Sequence, residues 1–182
     1  MSQKPHEALV SDQFGARAAA YLTSAVHAQG ADLTALADLV RDRPDATVLD
    51  LGCGAGHVSF AVAPRVASVV ACDLSAEMLD VVARAAADRG LANVLTKQAV
   101  AERLPFADAS FDVVLSRYSA HHWRDFDAGL REAARVLTPG GLLGIVDSIS
   151  VGPALLDTWL QAIELLRDAS HVRSRSRAEW ED

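Results

Sequence analysis

The residues of this chain that are able to do chemistry gather just past its apolar runs. Residues 46–56 read ATVLDLGCGAG: Val48, Leu49 and Leu51 make a short apolar strand that carries one acid, Asp50, and ends in Gly52, Gly54 and Gly56. Glycines at such a turn let backbone amides come close to a ligand, and the helix-compatible run at 57–66 would add its own unpaired N–H groups, so the turn suits a carboxylate or a phosphate. A tight turn that binds nothing is the competing reading. The G-x-G-x-G spacing brings the third glycine one residue earlier than the dinucleotide fingerprint requires. A second acid, Asp73, ends the next apolar run about 20 residues on, the separation at which a carboxylate on the neighbouring strand reaches the hydroxyls of a ribose. Its alternative is an acid at a helix start, where Ser75 already offers a cap. His121 and His122 follow a fourth apolar run, and imidazole takes up a proton near neutral pH. Packing beside Trp123 would explain the same pair. Arg117 and Tyr118 share that loop, either to meet an acidic acceptor or to pair with a lid.

Strand ends are what such groups need to stand on. After the strand and helix of 46–66, the segment 68–73 (SVVACD) is again apolar and β-branched, and 76–90 repeats Met78, Leu79, Val82, Ala85 and Ala86 at helical spacing. Further strands are expected at 94–99, 111–116 and 142–149, and helices at 125–137, stopped by Pro139-Gly140-Gly141, and at 154–169, with Leu155, Leu156, Trp159, Ile163 and Leu166 aligned. Strand and helix alternate, which predicts an α/β fold: a doubly wound, mostly parallel sheet with helices on both faces and ligands at the carboxyl ends of the strands. Gly52, Asp73, Ala99 and Ser116 all fall at those ends. Ahead of this pattern, 1–12 is polar and expected to fray. From Gln13 onward Phe14, Ala18, Tyr21, Leu22, Ala25 and Val26 recur at helical spacing in what reads as a lid, and 32–43 makes a second helix through Leu33, Leu36, Leu39 and Val40. The expected division is a helical lid region at 1–43, an α/β core at 44–150 and a helix with a polar tail at 151–182.

At 182 residues and 51% apolar the chain suits one domain with a continuous core, and a formal net charge of −7 argues against nonspecific binding to nucleic acid or to an anionic membrane. Cys53 and Cys72 each end an apolar run without metal-type spacing, which fits buried thiols in a reducing compartment. No basic-plus-apolar leader and no membrane-length apolar run is present, so a cytoplasmic protein with no metal site is expected.

Four blocks, VLDLGCGAG, CDLSAEML, AERLPFADASFDVVLSRYSAHHW and LREAARVLTPGGLL, occur in an order and spacing that resembles class I S-adenosylmethionine-dependent methyltransferases, more narrowly the UbiE-like and type-11 families. The resemblance runs from about Phe14 to Ser150. It implies a Rossmann-like sheet with S-adenosyl-L-methionine as cofactor: Gly52, Gly54 and Gly56 at its methionine end, Asp50 at its amino group, directly or through water, and Asp73 at the ribose hydroxyls. Leu74 and Met78 would flank the adenine, and Ala101 with Glu102 lie where its edge is read. Val100 departs from the Asp or Asn that similar enzymes often place there. Phe14 and Tyr21 would belong to the lid. The cofactor's chemistry agrees with these positions, since it offers a carboxylate, an ammonium and a ribose but no pyrophosphate.

Methyl transfer is an in-line displacement at a sulfonium, so alignment and water exclusion dominate, and a protonated acceptor needs a base, for which His121 and His122 are the candidates. No Asp-Pro-Pro-Tyr or Asn-Pro-Pro-Tyr follows the fourth strand, where the chain reads Ser116-Arg117-Tyr118-Ser119. With the acidic charge, that favours a small-molecule acceptor over nucleic acid, by C- or O-methylation. Two other classes stand beside this reading: a cofactor-binding regulatory or interaction module without turnover, and a nicotinamide dehydrogenase, which the early third glycine disfavours. The resembled families close their sheet with two further strands that the polar 170–182 cannot supply. The expectation is therefore a truncated chain, or a fifth-strand edge bearing Leu143, Ile145 and Val146 that a homodimer mate or another chain covers.

Overall fold

The computed structural model describes residues 5–15, 18–23 and 29–182. Five strands, β1 (Thr47–Leu51), β2 (Ser68–Asp73), β3 (Val94–Gln98), β4 (Phe111–Arg117) and β5 (Leu137–Val146), form one sheet in the order β3-β2-β1-β4-β5. Every pairing is parallel. The chain winds outward from β1 through β2 to β3 and then returns to place β4 on the other side of β1. The reversal opens a crevice at the carboxyl ends of β1 and β4, where such sheets bind ligands.

The central strands are apolar on both faces because both faces are covered. Val48, Val69, Val113 and Leu115 meet Leu36 of α3 (Ala31–Asp38), Val40 just beyond it, and Val58 and Val62 of α4 (His57–Val62). On the other face Leu49, Leu51, Cys72 and Val114 pack with Trp123 and with Phe126, Ala133 and Val136 of α6 (Phe126–Val136). Each Leu or Val buried this way stabilises the fold by about 1.5–3 kcal/mol relative to exposure. Between β2 and β3 runs α5 (Ala76–Asp88), whose start is capped as expected, the Met78 amide donating to Ser75 Oγ at 3.2 Å.

Several boundaries differ from the sequence expectation. Residues 6–12 are not frayed: α1 (His6–Gly15) and α2 (Ala18–Thr23) are helical, because Phe14, Tyr21 and Leu22 pack on Ala55, Met78 and Val81. Ala25 and Val26 lie outside the described residues. The next helix, α3, ends at Asp38 rather than at 43. Pro139-Gly140-Gly141 does not separate a helix from a strand starting at 142. Instead β5 begins at Leu137, directly after α6, and the glycines form an irregular stretch between the pairs Phe111–Leu137 and Val113–Leu142. The strand stops at Val146, not at 149, which leaves Asp147 at its tip.

The last helical stripe also behaves differently. No residue of α7 (Ala154–Arg167) is buried, and Leu155, Trp159 and Leu166 are 70%, 61% and 88% exposed. Nor is 170–182 a solvated tail. It folds back so that the Val172 and Arg173 amides donate to the His121 carbonyl, Ser150 pairs with Ser176, and Trp180 of α8 (Arg177–Glu181) meets the Phe126 ring edge-on. Among the described residues β5 has a strand neighbour on one side only, with Leu143 39% exposed, and no helix is long and apolar enough to cross a membrane.

Polar attachments tie the N-terminal helices to the rest of the fold. His6 Nε2 bonds the His122 carbonyl at 2.8 Å, His57 Nε2 bonds the Tyr21 carbonyl at 3.0 Å, and Arg117 Nε donates to Asp32 Oδ2 at 2.6 Å. The Arg117 hydrogen bond and charge hold the Asp32 carboxyl below its ordinary range. A carboxyl whose folded value is depressed stabilises the fold above its unfolded pKa and loses that contribution as pH falls through the folded value. Denaturant unfolding of Asp32→Ala against the parent should therefore show its largest deficit near pH 7, closing as the pH drops below about 4. A deficit that persists unchanged in acid would show that the ion pair is not its source.

Candidate active site

A cavity of about 330 Å³ lies at the carboxyl ends of β1, β2 and β4, roofed by α1 and α2. That is the lower end of the size range for small-molecule sites. Of the residues singled out in the sequence, Asp50, Gly52, Gly54, Asp73, Leu74 and Met78 form its floor and one wall. Ala101 and Glu102 close that wall, Arg117, Tyr118, His121 and His122 make the opposite one, and Phe14 and Tyr21 reach in from α1 and α2. Gly56 and Ser116 do not line it. Ser116 is fully buried, its hydroxyl without a partner among the described residues, and Gly56 is the N-cap of α4.

The three glycines have three different reasons for being glycine. All have positive φ, at +70° for Gly52, +50° for Gly54 and +85° for Gly56. A Cβ on Gly52 would lie 1.8 Å from Ser119 Oγ, and one on Gly56 would lie 2.9 Å from both Phe60 Cζ and Val82 Cγ2. Those two positions are glycine because other parts of the protein touch them. A Cβ on Gly54 meets nothing within 4 Å, and the cavity is the space it would enter. The loop amides, by contrast, are largely engaged within the protein. Those of Gly52 and Cys53 donate to the Cys72 carbonyl, that of Gly54 to Asp73 Oδ2 at 2.8 Å, and that of Gly56 to the Cys53 carbonyl. The expected cradle of free N–H groups is thus mostly a self-bonded turn that leaves room above Gly54.

Asp50 is 1% exposed. Its Oδ2 accepts from the Ser59 amide at 2.9 Å and from Ser59 Oγ at 2.6 Å, while Oδ1 is buried with no partner among the described residues. Burial pushes the carboxyl up to about 6 in spite of the two Ser59 bonds. Asp73 is half-buried, and its oxygens receive the Gly54 and Ser75 amides; burial raises its pKa although both bonds act the other way. Each of these oxygens keeps a lone pair for a hydroxyl donor. Glu102 accepts from the Arg124 and Asp125 amides, so it bridges to the start of α6 besides lining the wall. Both thiols are pushed up by burial, Cys72 to about 12, which leaves them protonated and unreactive.

On the opposite wall, Arg117 and Tyr118 both face Asp32 of α3, and Tyr118 takes φ of +53°, a conformation uncommon for a non-glycine residue. His121 Nδ1 makes a short contact with Asp147 Oδ1, and the His121 amide donates to Asp147 Oδ2 at 3.1 Å. His122 Nδ1 lies 3.1 Å from the Ser170 carbonyl, and burial together with the neighbouring His121 ring lowers its pKa to about 4, so it is neutral at physiological pH. Ser59, Ser119, Asp147, Asp168 and His171 are the site residues that sequence reasoning passed over. Asp147 had a legible signal: like Asp50 and Asp73, it is an acid at the end of an apolar strand.

A family model described as a methyltransferase domain, of type 11, matches residues 49–145. This chain belongs to the type-11 methyltransferase family. YafE of Escherichia coli is 55% identical over 129 residues, covering 71% of this chain and 62% of its own length. YcgJ of Bacillus subtilis is 39% identical over 168 residues, covering 92% and 66%, and its crystal structure superposes with a TM-score of 0.80 over 82% of this chain and 64% of that one. Nocamycin O-methyltransferase of Saccharothrix syringae is 37% identical over 127 residues, or 68% and 45%. The chain therefore spans less than two thirds of the length of these relatives. The matched type-11 stretch contains Asp50, the glycine turn, Asp73 and both histidines of the 121–122 turn, but it stops short of Asp147, Asp168 and His171.

The glycine geometry of this methyltransferase domain separates folding from ligand space. Gly54→Ala should cost only the left-handed strain of about 1–2 kcal/mol. Gly52→Ala adds overpacking against Ser119, typically a further 1–3 kcal/mol. Urea unfolding of the two variants should rank Gly52→Ala clearly below Gly54→Ala, and equal stabilities would overturn this assignment.

Proposed function

We propose that this chain binds S-adenosylmethionine in the cavity and directs its methyl group to a small-molecule acceptor. The observation that carries this reading is Asp50, which lines the floor of the cavity and whose buried Oδ1 has no partner among the described residues. An unpartnered buried acceptor is costly, and the ammonium of the methionine moiety is the complement that would satisfy it. Space above Gly54 fits the rest of that moiety, the free lone pairs of Asp73 fit ribose hydroxyls, and Leu74, Met78 and Ala101 offer an apolar slot for a flat base. When bound, the cofactor supplies an electrophilic methyl on a positively charged sulfur. This chain's own part is to align the acceptor, exclude water through α1 and α2, and receive a proton where the acceptor carries one. A small acceptor is supported by the modest cavity volume of about 330 Å³ and the acidic net charge of −7. Nocamycin O-methyltransferase among the relatives supports oxygen as an acceptor atom, and carbon stays within the same reading.

A cation can pair with Asp50 only when the carboxyl is ionised. With a value near 6 in the free protein, the ionised fraction rises roughly tenfold from pH 5 to pH 7. Titration calorimetry with S-adenosylmethionine should show affinity increasing by about that factor over this range, and Asp50→Asn should bind weakly with a flat profile. Binding that is equally tight at both pH values in the parent, or a variant that keeps the parent's slope, would remove Asp50 from the site. Labelled methyl donor offered with a small-metabolite panel then tests transfer itself.

A further inference from the structure

The wall opposite the glycine turn carries an acid–base unit that the cofactor reading does not use. His121 is 9% exposed and lines the cavity, whereas the Asp147 side chain behind it is 2% exposed and does not. Asp147 grips His121 twice, Oδ1 at the ring Nδ1 and Oδ2 at the backbone amide, and its Oδ1 also receives the Ser148 amide at 2.7 Å. A carboxylate at Nδ1 places the ring proton there, which makes Nε2 the lone-pair nitrogen. Among the described residues nothing bonds Nε2. The carbonyl of His121 is held as well, by the Val172 and Arg173 amides, so the turn is fixed from both sides.

The charges around the cavity indicate what such a base would act on. Among the described residues the arginines lining the cavity each have a carboxylate partner: Arg117 with Asp32 in a largely buried pair, and Arg124 with Glu7 and Arg167 with Glu164 toward the surface. Asp50, Asp73, Glu102 and Asp168 line the same space with negative charge. Facing His121 are His122 on its own turn, Asp147 from β5, His171 and Asp168 from the segment after α7, and His6 and Glu7 across the cavity on α1. Among the described residues an anionic acceptor would find no unpaired arginine lining the cavity, and it would need no base.

We propose that Asp147 is a positioning residue that presents His121 Nε2 to the cavity as a base, and that the methyl acceptor is a neutral, weakly acidic hydroxyl compound, a phenol or an enol. The inference rests on the methyl-transfer reading of the cavity. In the step, an oxygen lone pair of the acceptor forms the new C–O bond to the methyl carbon. The C–S bond of the sulfonium donor breaks with its electron pair staying on sulfur, and the hydroxyl proton passes to His121 Nε2.

The test offers labelled S-adenosylmethionine with phenols of graded acidity and with benzoates to the parent chain, His121→Ala and Asp147→Asn. The expected result is methylation of phenols and not of benzoates. Both variants should lose about 100-fold or more in kcat on a weakly acidic phenol un-ionised at pH 7, and the deficit should shrink steadily along the series as the phenol hydroxyl becomes more acidic. Cofactor affinity by calorimetry should stay within a few-fold throughout. Nitrogen-15 shifts of the free protein should report the Nδ1–H tautomer of His121 in the parent and a mixture of tautomers in Asp147→Asn. If that variant does not fold, His121→Ala and the parent tautomer carry the comparison. A deficit independent of acceptor acidity, turnover of benzoates alone, cofactor binding with no phenol methylated, or an Nε2–H tautomer in the parent would each overturn the proposal. Absence of cofactor binding would overturn the methyl-transfer reading instead, and the tautomer measurement would still decide the role of Asp147.

Discussion

A carboxylate almost closed off from water sits where β1 turns into α4, and much of the surrounding geometry follows from keeping it tolerable. Burying Asp50 without partners would cost several kcal/mol. Ser59 offsets part of that by giving both its amide and its hydroxyl to Oδ2, and it can do so only if α4 doubles back tightly over the end of β1. That requires the left-handed turn at Gly52, Gly54 and Gly56, with Gly56 letting Phe60 and Val82 close in and Gly52 letting the Ser119 loop close in. One carboxylate oxygen has no partner among the described residues, and Asp50 lines the floor of the cavity. The fold thus carries an electrostatic debt that a cationic ligand group would relieve.

The roof is held by polar attachments as well as by packing. In α1 and α2, Phe14, Tyr21 and Leu22 supply a modest apolar contact. The His6, His57 and Asp32 contacts fix where these helices and α3 sit relative to the 117–123 loop and α4. The Arg117–Asp32 pair joins the roof to the strand end that leads into the histidine turn, with Tyr118 in a strained conformation between them. Strain of this kind costs about 1–3 kcal/mol and persists only where neighbours impose it. Here those neighbours are the β5 backbone, whose Val146 carbonyl accepts the Tyr118 amide, and the Asp32 carboxylate.

Sequence alone was sufficient for the parts of this protein governed by local pattern. The order of strands and helices, the parallel sheet, the Ser75 cap, the acids at the strand tips and the family itself were all legible, because burial on both faces writes continuous apolar runs and a tight turn demands glycine. Most of the residues expected at the site do line one cavity. The exceptions are instructive: Gly56 and Ser116 sit at the right places along the chain, yet their neighbours turn them toward packing. The helix at the N-terminus and the early start of β5 at Leu137 were missed because tertiary contacts, Phe14 on Met78 and Leu137 beside Phe111, override what composition favours.

What only the tertiary structure decided is which groups are already engaged. The sequence shows Gly54, Asp73, Arg117 and His121 as polar or permissive residues near strand ends, but it cannot show that the Gly54 amide belongs to Asp73, that Arg117 belongs to Asp32, or that His121 is backed by Asp147. Nor could a polar stretch such as 170–182 announce that it folds back beneath the histidine turn while the apolar stripe of α7 stays exposed. Periodicity records which face of an element avoids water, whereas hydrogen-bond partners separated by tens of residues depend on where the sheet order brings distant loops together, and that order is a property of the whole chain.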